Sequence, residues 1–177
     1  RDDRTRGIVK WVFEIIVTLV FAVLVAISAF QTVTLQESAM EPTYSVSEKF
    51  FVNRALYKVS SPKRGDVIVF KTSASDSAAL HIRRVIGLPG ETVQVKDGKI
   101  YINGKVYEEN GAYQDMTDGG LANSAITLES GEYFVLGDNR NNSEDSRFSD
   151  IGNISKKYIV GKVWFTVSPK NKIGFIK

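Results

Sequence analysis

"VQVKDGKIYINGKVYE", residues 93 to 108, decides how the chain folds. Two dipeptides interrupt it, Asp97-Gly98 and Asn103-Gly104. Both belong to the small set that accepts positive φ at the centre of a two-residue hairpin turn. The stretch therefore predicts a three-stranded antiparallel meander. Around it lie more short β-rich runs bounded by turn residues: "FFVNRAL" (50–56), "DVIVF" (66–70), "RRVIGL" (83–88), "EYFVLG" (132–137) and "KVWFTV" (162–167). No segment after Gln31 sustains an apolar period of 3.6, so helix is not expected there. The expected fold class is mainly β, an antiparallel domain over 31–177 with a smaller β lobe inserted at about 91–132. The loop-like "DMTDGGLANSA" (115–125) marks that lobe's edge.

The start of the chain reads differently. "IIVTLVFAVLVAISAF", Ile15 to Phe30, carries no charge, and the apolar run extends back to Ile8. As a helix, 8–30 would measure roughly 34 Å at about 1.5 Å per residue, enough for a hydrocarbon core of about 30 Å. Lys10 can snorkel to the surface, Trp11 suits the interface, and Glu14 is tolerable only near one end. Arg1, Arg4, Arg6 and Lys10 precede or open the span, which predicts residues 1–7 as a cytoplasmic tail and the rest of the chain outside. A cleavable signal peptide, with "AIS" before Ala29, is the alternative reading.

The 177 residues are 43% apolar and 24% charged, with a net charge of +3, a globular composition. No basic stripe with interleaved aromatics points to nucleic acid, and the basic residues near the first helix fit anionic lipid at least as well. The chain has no cysteine and one histidine, His81. Thiol catalysis, disulfides, Cys-ligated zinc and a multi-His metal site within the chain are thereby excluded. Neither metal nor cofactor is expected.

Four stretches are too particular for plain scaffold. "SAMEPT" (38–43) reads as a turn just outside the membrane. "KRGDVIVF" (63–70) holds an Arg-Gly-Asp triplet that leads straight into an apolar strand. In "HIRRVIGLPGE" (81–91) alternate residues share a strand face, so His81 and Arg83 point one way and Arg84 the other. One arginine is expected to point inward, where it needs a carboxylate partner. "GDNRNNSEDSR" (137–147) has a calcium-loop density of Asp and Asn, but Ser143 stands where the EF-hand turn requires glycine. A carboxylate network is expected there, with Asp145 pairing Arg147 or Arg84.

An N-terminal anchor followed by these four stretches, in this order and spacing, resembles the type I signal peptidases, in their Gram-positive form. The resemblance runs over nearly the whole chain. It implies a membrane-anchored serine endopeptidase that removes signal peptides from exported preproteins with a Ser/Lys dyad. The serine would immediately precede Met40 and the lysine would immediately precede Arg84-Val85-Ile86-Gly87. Those positions are Ala39 and Arg83. Alanine has no oxygen to attack with, and a guanidinium stays protonated and cannot serve as base. The chain is therefore expected not to cleave. Ser38 is expected on the opposite face of an extended segment, a poor substitute.

By the same resemblance Ser143 would hydrogen-bond the base, and Asp145 with Arg147 would form an ion pair ordering that wall. Met40 and Pro42 would shape the nucleophile turn, with the backbone N–H at 39 in the oxyanion hole. Many relatives carry Gly or Ser where this chain has Glu37. The groove would be apolar with small side-chain pockets, and an apolar rim near the anchor would dip into the lipid. Expected partners are signal peptides and the bilayer. Two readings compete: a peptidase whose nucleophile was replaced, and a natural non-catalytic homologue that binds peptides or assembles surface proteins such as pilins. An adhesive domain built on Arg-Gly-Asp is a third.

Overall fold

The computed structural model describes residues 2–75 and 77–176. A long helix, α1 (Asp2–Ala29), is exposed from Arg4 to Ser28 and is long and apolar enough over Arg4–Ala29 to cross a membrane. It ends one residue earlier than expected. Phe30 already pairs with Asn53 across a strand ladder, and the Arg54 amide donates to the Ala29 carbonyl at 2.8 Å.

Among the described residues twelve strands follow: β1 (Phe30–Thr34), β2 (Lys49–Asn53), β3 (Val67–Phe70), β4 (His81–Gly87), β5 (Thr92–Lys96), β6 (Lys99–Ile102), β7 (Lys105–Val106), β8 (Ile126–Thr127), β9 (Glu132–Leu136), β10 (Ile154–Ser155), β11 (Ile159–Ser168) and β12 (Gly174–Phe175). All pairings are antiparallel, as the sequence predicts. The larger sheet runs β1-β2-β11-β3-β4-β9-β10, with β12 on β11, and the smaller runs β7-β6-β5-β8. The meander forms over β5, β6 and β7. Asp97, Gly98, Asn103 and Gly104 all have positive φ, from 50° to 78°. That conformation is what selected Asp-Gly and Asn-Gly there.

The larger sheet is covered on both faces. Val67, Val69 and Ile82 pack with Phe50, Val52 and Val163, whereas Ile68, Phe70 and Val85 pack with Tyr133, Val135 and Ile154. A third cluster joins Ile86 and Phe134 to Val93, Val95 and Ile100, and so fastens the smaller sheet to the larger. Each fully buried side chain of this size contributes about 1.5–3 kcal/mol. A strand buried on both sides reads as an unbroken apolar run, as "VIVF" does.

One expectation needs correction. "FFVNRAL" is not strand throughout: it stops at Asn53, whose Oδ1 accepts the amides of Ala55 and Leu56 at 3.0 Å and opens a one-turn helix, α2 (Leu56–Val59). Asparagine competes for backbone donors in this way and ends a strand. The Arg-Gly-Asp triplet is part of the framework, as its lead into an apolar strand suggests. Asp66 accepts the Lys63 amide, the Tyr57 hydroxyl at 2.7 Å and Lys162 Nζ at 2.7 Å.

Where α1 meets the sheet, aromatic rings gather. Phe30 lies 5.2 Å from Trp164, which contacts Phe175 at 5.3 Å, and Phe175 contacts Phe165 at 5.2 Å. Trp164 is 40% and Phe175 68% exposed, an apolar rim beside the helix end.

Candidate active site

A cleft of about 600 Å³ opens where the turn after β1 meets β4 and the loop after β9. Glu37, Ser38 and Ala39 form one side, Arg83 the floor, and Asn142, Ser143 and Glu144 the other. The sequence stretches around 38, 83 and 143 thus converge on one place, although they are far apart along the chain.

The 37–41 turn is not extended. Ser38–Met40 is a single 3₁₀ turn, closed by the Glu41 amide donating to the Ser38 carbonyl at 3.1 Å. This corrects the alternating-face argument for Ser38. Its Oγ instead accepts a hydrogen bond from Asn142 Nδ2 at 3.3 Å, across the cleft. Met40 is fully buried in the core and anchors the turn from behind. Pro42 does not line this cleft; with Thr43, Arg84 and Tyr113 it lines a neighbouring one. The Ala39 carbonyl accepts the Asn139 amide at 2.9 Å, pinning the turn to the loop. Gly137 makes that approach possible: a Cβ there would lie 2.5 Å from the Ala39 oxygen and 2.1 Å from Ser143 Oγ.

Both arginines of β4 are buried, not one. They project to opposite sides, as strand alternation demands, and each side supplies a carboxylate. Arg84 meets Asp138 in a two-pronged contact at 2.7 and 2.8 Å. Burial works against the Arg84 charge, and the Asp138 carboxylate overrides it, holding the guanidinium more firmly protonated than usual. Asp145 therefore pairs with Arg147 alone, at 2.8 Å, and also accepts the Gly137 amide at 3.1 Å. Arg147 continues outward to the carbonyls of Arg140 and Asp118, tying this wall to the segment preceding β8. The two aspartates of the "GDNRNNSEDSR" stretch, Asp138 and Asp145, are thus taken by arginine.

Arg83 is 1% exposed. Its Nε donates to the Glu144 carbonyl at 2.7 Å and its Nη1 to the Ile82 carbonyl at 2.8 Å. Nη1 also lies 2.6 Å from Glu37 Oε2, and Glu37 Oε1 lies 2.8 Å from His81 Nδ1. These two contacts are close but poorly aligned as hydrogen bonds, since Glu37 Oε2 and His81 Nδ1 have no hydrogen-bond partner among the described residues. Burial by itself pushes the Glu37 carboxyl up. The His81 ring and the Arg83 guanidinium outweigh it and hold the group at about 2, below its ordinary 4.5.

Ser143 was expected to hydrogen-bond the side chain at 83. Its Oγ is instead buried without a partner among the described residues, because the Glu144 carbonyl has taken Arg83 Nε. Sequence reasoning left Glu37 without a role, yet it is the acid that joins His81 to Arg83. The signal was available: a buried arginine demands an acid, and Glu37 stands two residues before Ala39.

Residues 8–168 match the family model described as signal peptidase, peptidase S26. A signal peptidase I of Bacillus licheniformis is 33% identical over 97% of this chain and 94% of its own length. Signal peptidase I T of Bacillus subtilis is 33% identical over 96% and 90%. A crystal structure of a signal peptidase I from Enterococcus faecalis is 32% identical, with a TM-score of 0.48, over 59% of this chain and 98% of its own.

Proposed function

The chain belongs to the signal peptidase family of serine proteases, peptidase S26, and on that premise we propose that its cleft receives signal peptides of exported preproteins without cutting them. The chemistry of a Ser/Lys dyad sets the requirement. A hydroxyl at 39 must lose its proton to an amine at 83 as it attacks the peptide carbonyl. Here Ala39 ends in a methyl group. A guanidinium, which stands at 83, does not serve as a base. Ser38 Oγ is turned to Asn142, and Ser143 Oγ stands behind Gly137. The observation that carries the reading is the Arg83–Glu37 ion pair, which fills the place of a base with a fixed cation. Asp145, Arg147, Met40 and Pro42 keep the cleft's frame, and the amide at 39 would still polarise a bound carbonyl. The long apolar helix and the family support a membrane-anchored domain, and the flanking Arg4, Arg6 and Lys10 favour an inside N-terminus.

The test uses the full chain in detergent with a precursor bearing a signal peptide. The parent chain is expected to bind the precursor and leave it whole, and Ala39→Ser with Arg83→Lys is expected to release mature protein. A folded double variant that never cleaves sinks the peptidase lineage of this cleft. Cleavage by Ala39→Ser alone overturns the exclusion of Arg83 as base and points to His81.

One observation favours a natural non-catalytic homologue over a peptidase disabled at its dyad. A change made only to remove attack needs no acid at 37, yet Glu37 is the partner that makes a buried Arg83 tolerable. On this reading the cleft serves binding or assembly of surface proteins such as pilins. Retention of a folded surface-protein precursor by the parent chain, at an affinity unchanged by deleting its signal peptide, supports it; loss of retention on that deletion returns the cleft to signal peptides.

A further inference from the structure

A second cleft, of about 650 Å³, shares no lining residue with the first. It lies between α2, the segment leaving β3, and the segment entering β11. Arg54, Lys58, Lys71, Lys156 and Lys157 line it, and no Asp or Glu does among the described residues. Arg54, Lys58 and Lys157 are exposed. Among the described residues no carboxylate forms an ion pair with Arg54, Lys58, Lys156 or Lys157. Lys156 Nζ is held by the Ser60 carbonyl at 2.9 Å and Ser61 Oγ at 3.1 Å, which fixes its charge at the wall. Lys157 Nζ sits 4.9 Å over the Tyr158 ring. Like charges crowded in this way repel unless an anion joins them.

The position of the cleft says which anion. The Arg54 amide is bonded to the last carbonyl of α1, that of Ala29. Arg54 therefore stands at the level where a membrane-crossing helix leaves the hydrocarbon, which is the level of phosphate groups. Beside Lys58, the apolar Val59 is 89% exposed. We propose that this cleft seats the phosphate-bearing headgroup of an anionic phospholipid from the leaflet at the C-terminal end of α1. The reading is independent of what the first cleft does, because it uses none of its residues.

The experiment titrates the full chain in neutral-detergent micelles with dihexanoyl phosphatidylglycerol, dihexanoyl phosphatidylcholine and inorganic phosphate, followed by calorimetry. Phosphatidylglycerol is expected to bind at least tenfold more tightly than either of the others. Arg54→Gln/Lys58→Gln/Lys157→Gln removes three cations and is expected to weaken it about a hundredfold, at roughly fivefold per cation. Arg54→Gln alone, which leaves the packing untouched, is expected to weaken it about fivefold. Lys96→Gln/Lys99→Gln/Lys105→Gln, an equal charge change on the smaller sheet, is expected to leave it unchanged. Equal loss in that control shows bulk charge and overturns the proposal. So does equal affinity for phosphatidylcholine, which shows no charge recognition, or for phosphate, which shows an ion site with no lipid specificity.

Discussion

Arg83 brings a permanent positive charge into the cleft floor, and Glu37 answers it. A carboxyl held at about 2 in the folded chain and at its ordinary 4.5 when unfolded stabilises the fold above pH 4.5, and that contribution fades as pH falls toward 2. Glu37→Gln removes it. The gap in melting temperature between parent and Glu37→Gln is therefore expected to stay constant above pH 4.5 and to close below it. A gap independent of pH down to 2 means that Glu37 acts by packing alone. The same acid constrains any restored dyad. A carboxylate within 3 Å of an amine favours its charged form, so a lysine at 83 beside Glu37 is a reluctant base. Adding Glu37→Ser to the double variant is expected to move its pH–rate profile about one unit toward acid and to raise cleavage at neutral pH about tenfold. At this scale the sequence was legible in which stretches matter, since those around Ser38, Arg83 and Ser143 line one cleft. It was less legible where geometry allocates partners. The resemblance implied the Asp145–Arg147 pair, but nothing in the order of residues said that Asp138 would take Arg84.

The elements were legible wherever turn chemistry is local. Asp97-Gly98 and Asn103-Gly104 located the meander without help from the rest of the chain. The two-residue strands β8, β10 and β12 could not be found in that way, since each exists only because a partner strand lies beside it. Nor could the contact between the Ala39 turn and the loop after β9, which depends on a missing side chain at Gly137. Gly137→Ala is expected to cost about 2 kcal/mol by overpacking against the Ala39 oxygen and Ser143, seen as a lower denaturant midpoint with unchanged slope. Arg147→Ala leaves Asp145 buried and unpaired and is expected to cost about 4 kcal/mol. Because Arg147 also holds the Asp118 carbonyl, amide exchange at Leu121 is expected to accelerate more than exchange at Val163. Equal acceleration at both shows global loss and refutes a local tie.

For the whole molecule, helix and sheet make one apolar belt. The rim formed by Phe30, Trp164 and Phe175 continues the exposed surface of α1. In bilayers carrying lipids brominated near the headgroup, Trp164 fluorescence of a Trp11→Phe chain is expected to be quenched, as aromatic rings at the interface are. Unquenched emission there places the rim in water and detaches the sheet from the membrane.

The junction at Ala29 has a mechanical meaning. Helix becomes strand with no intervening loop, and the Arg54 amide clamps the joint. The cleft therefore stands at a set height above the lipid, as a gauge block stands on a bench, and it can meet only those bonds of a tethered peptide that emerge at that height. Four Gly-Ser residues inserted between Ala29 and Phe30 would let the gauge wander. The parent chain is expected to discriminate sharply among precursors whose signal segments differ by two or three residues in length, and the inserted chain to bind them alike.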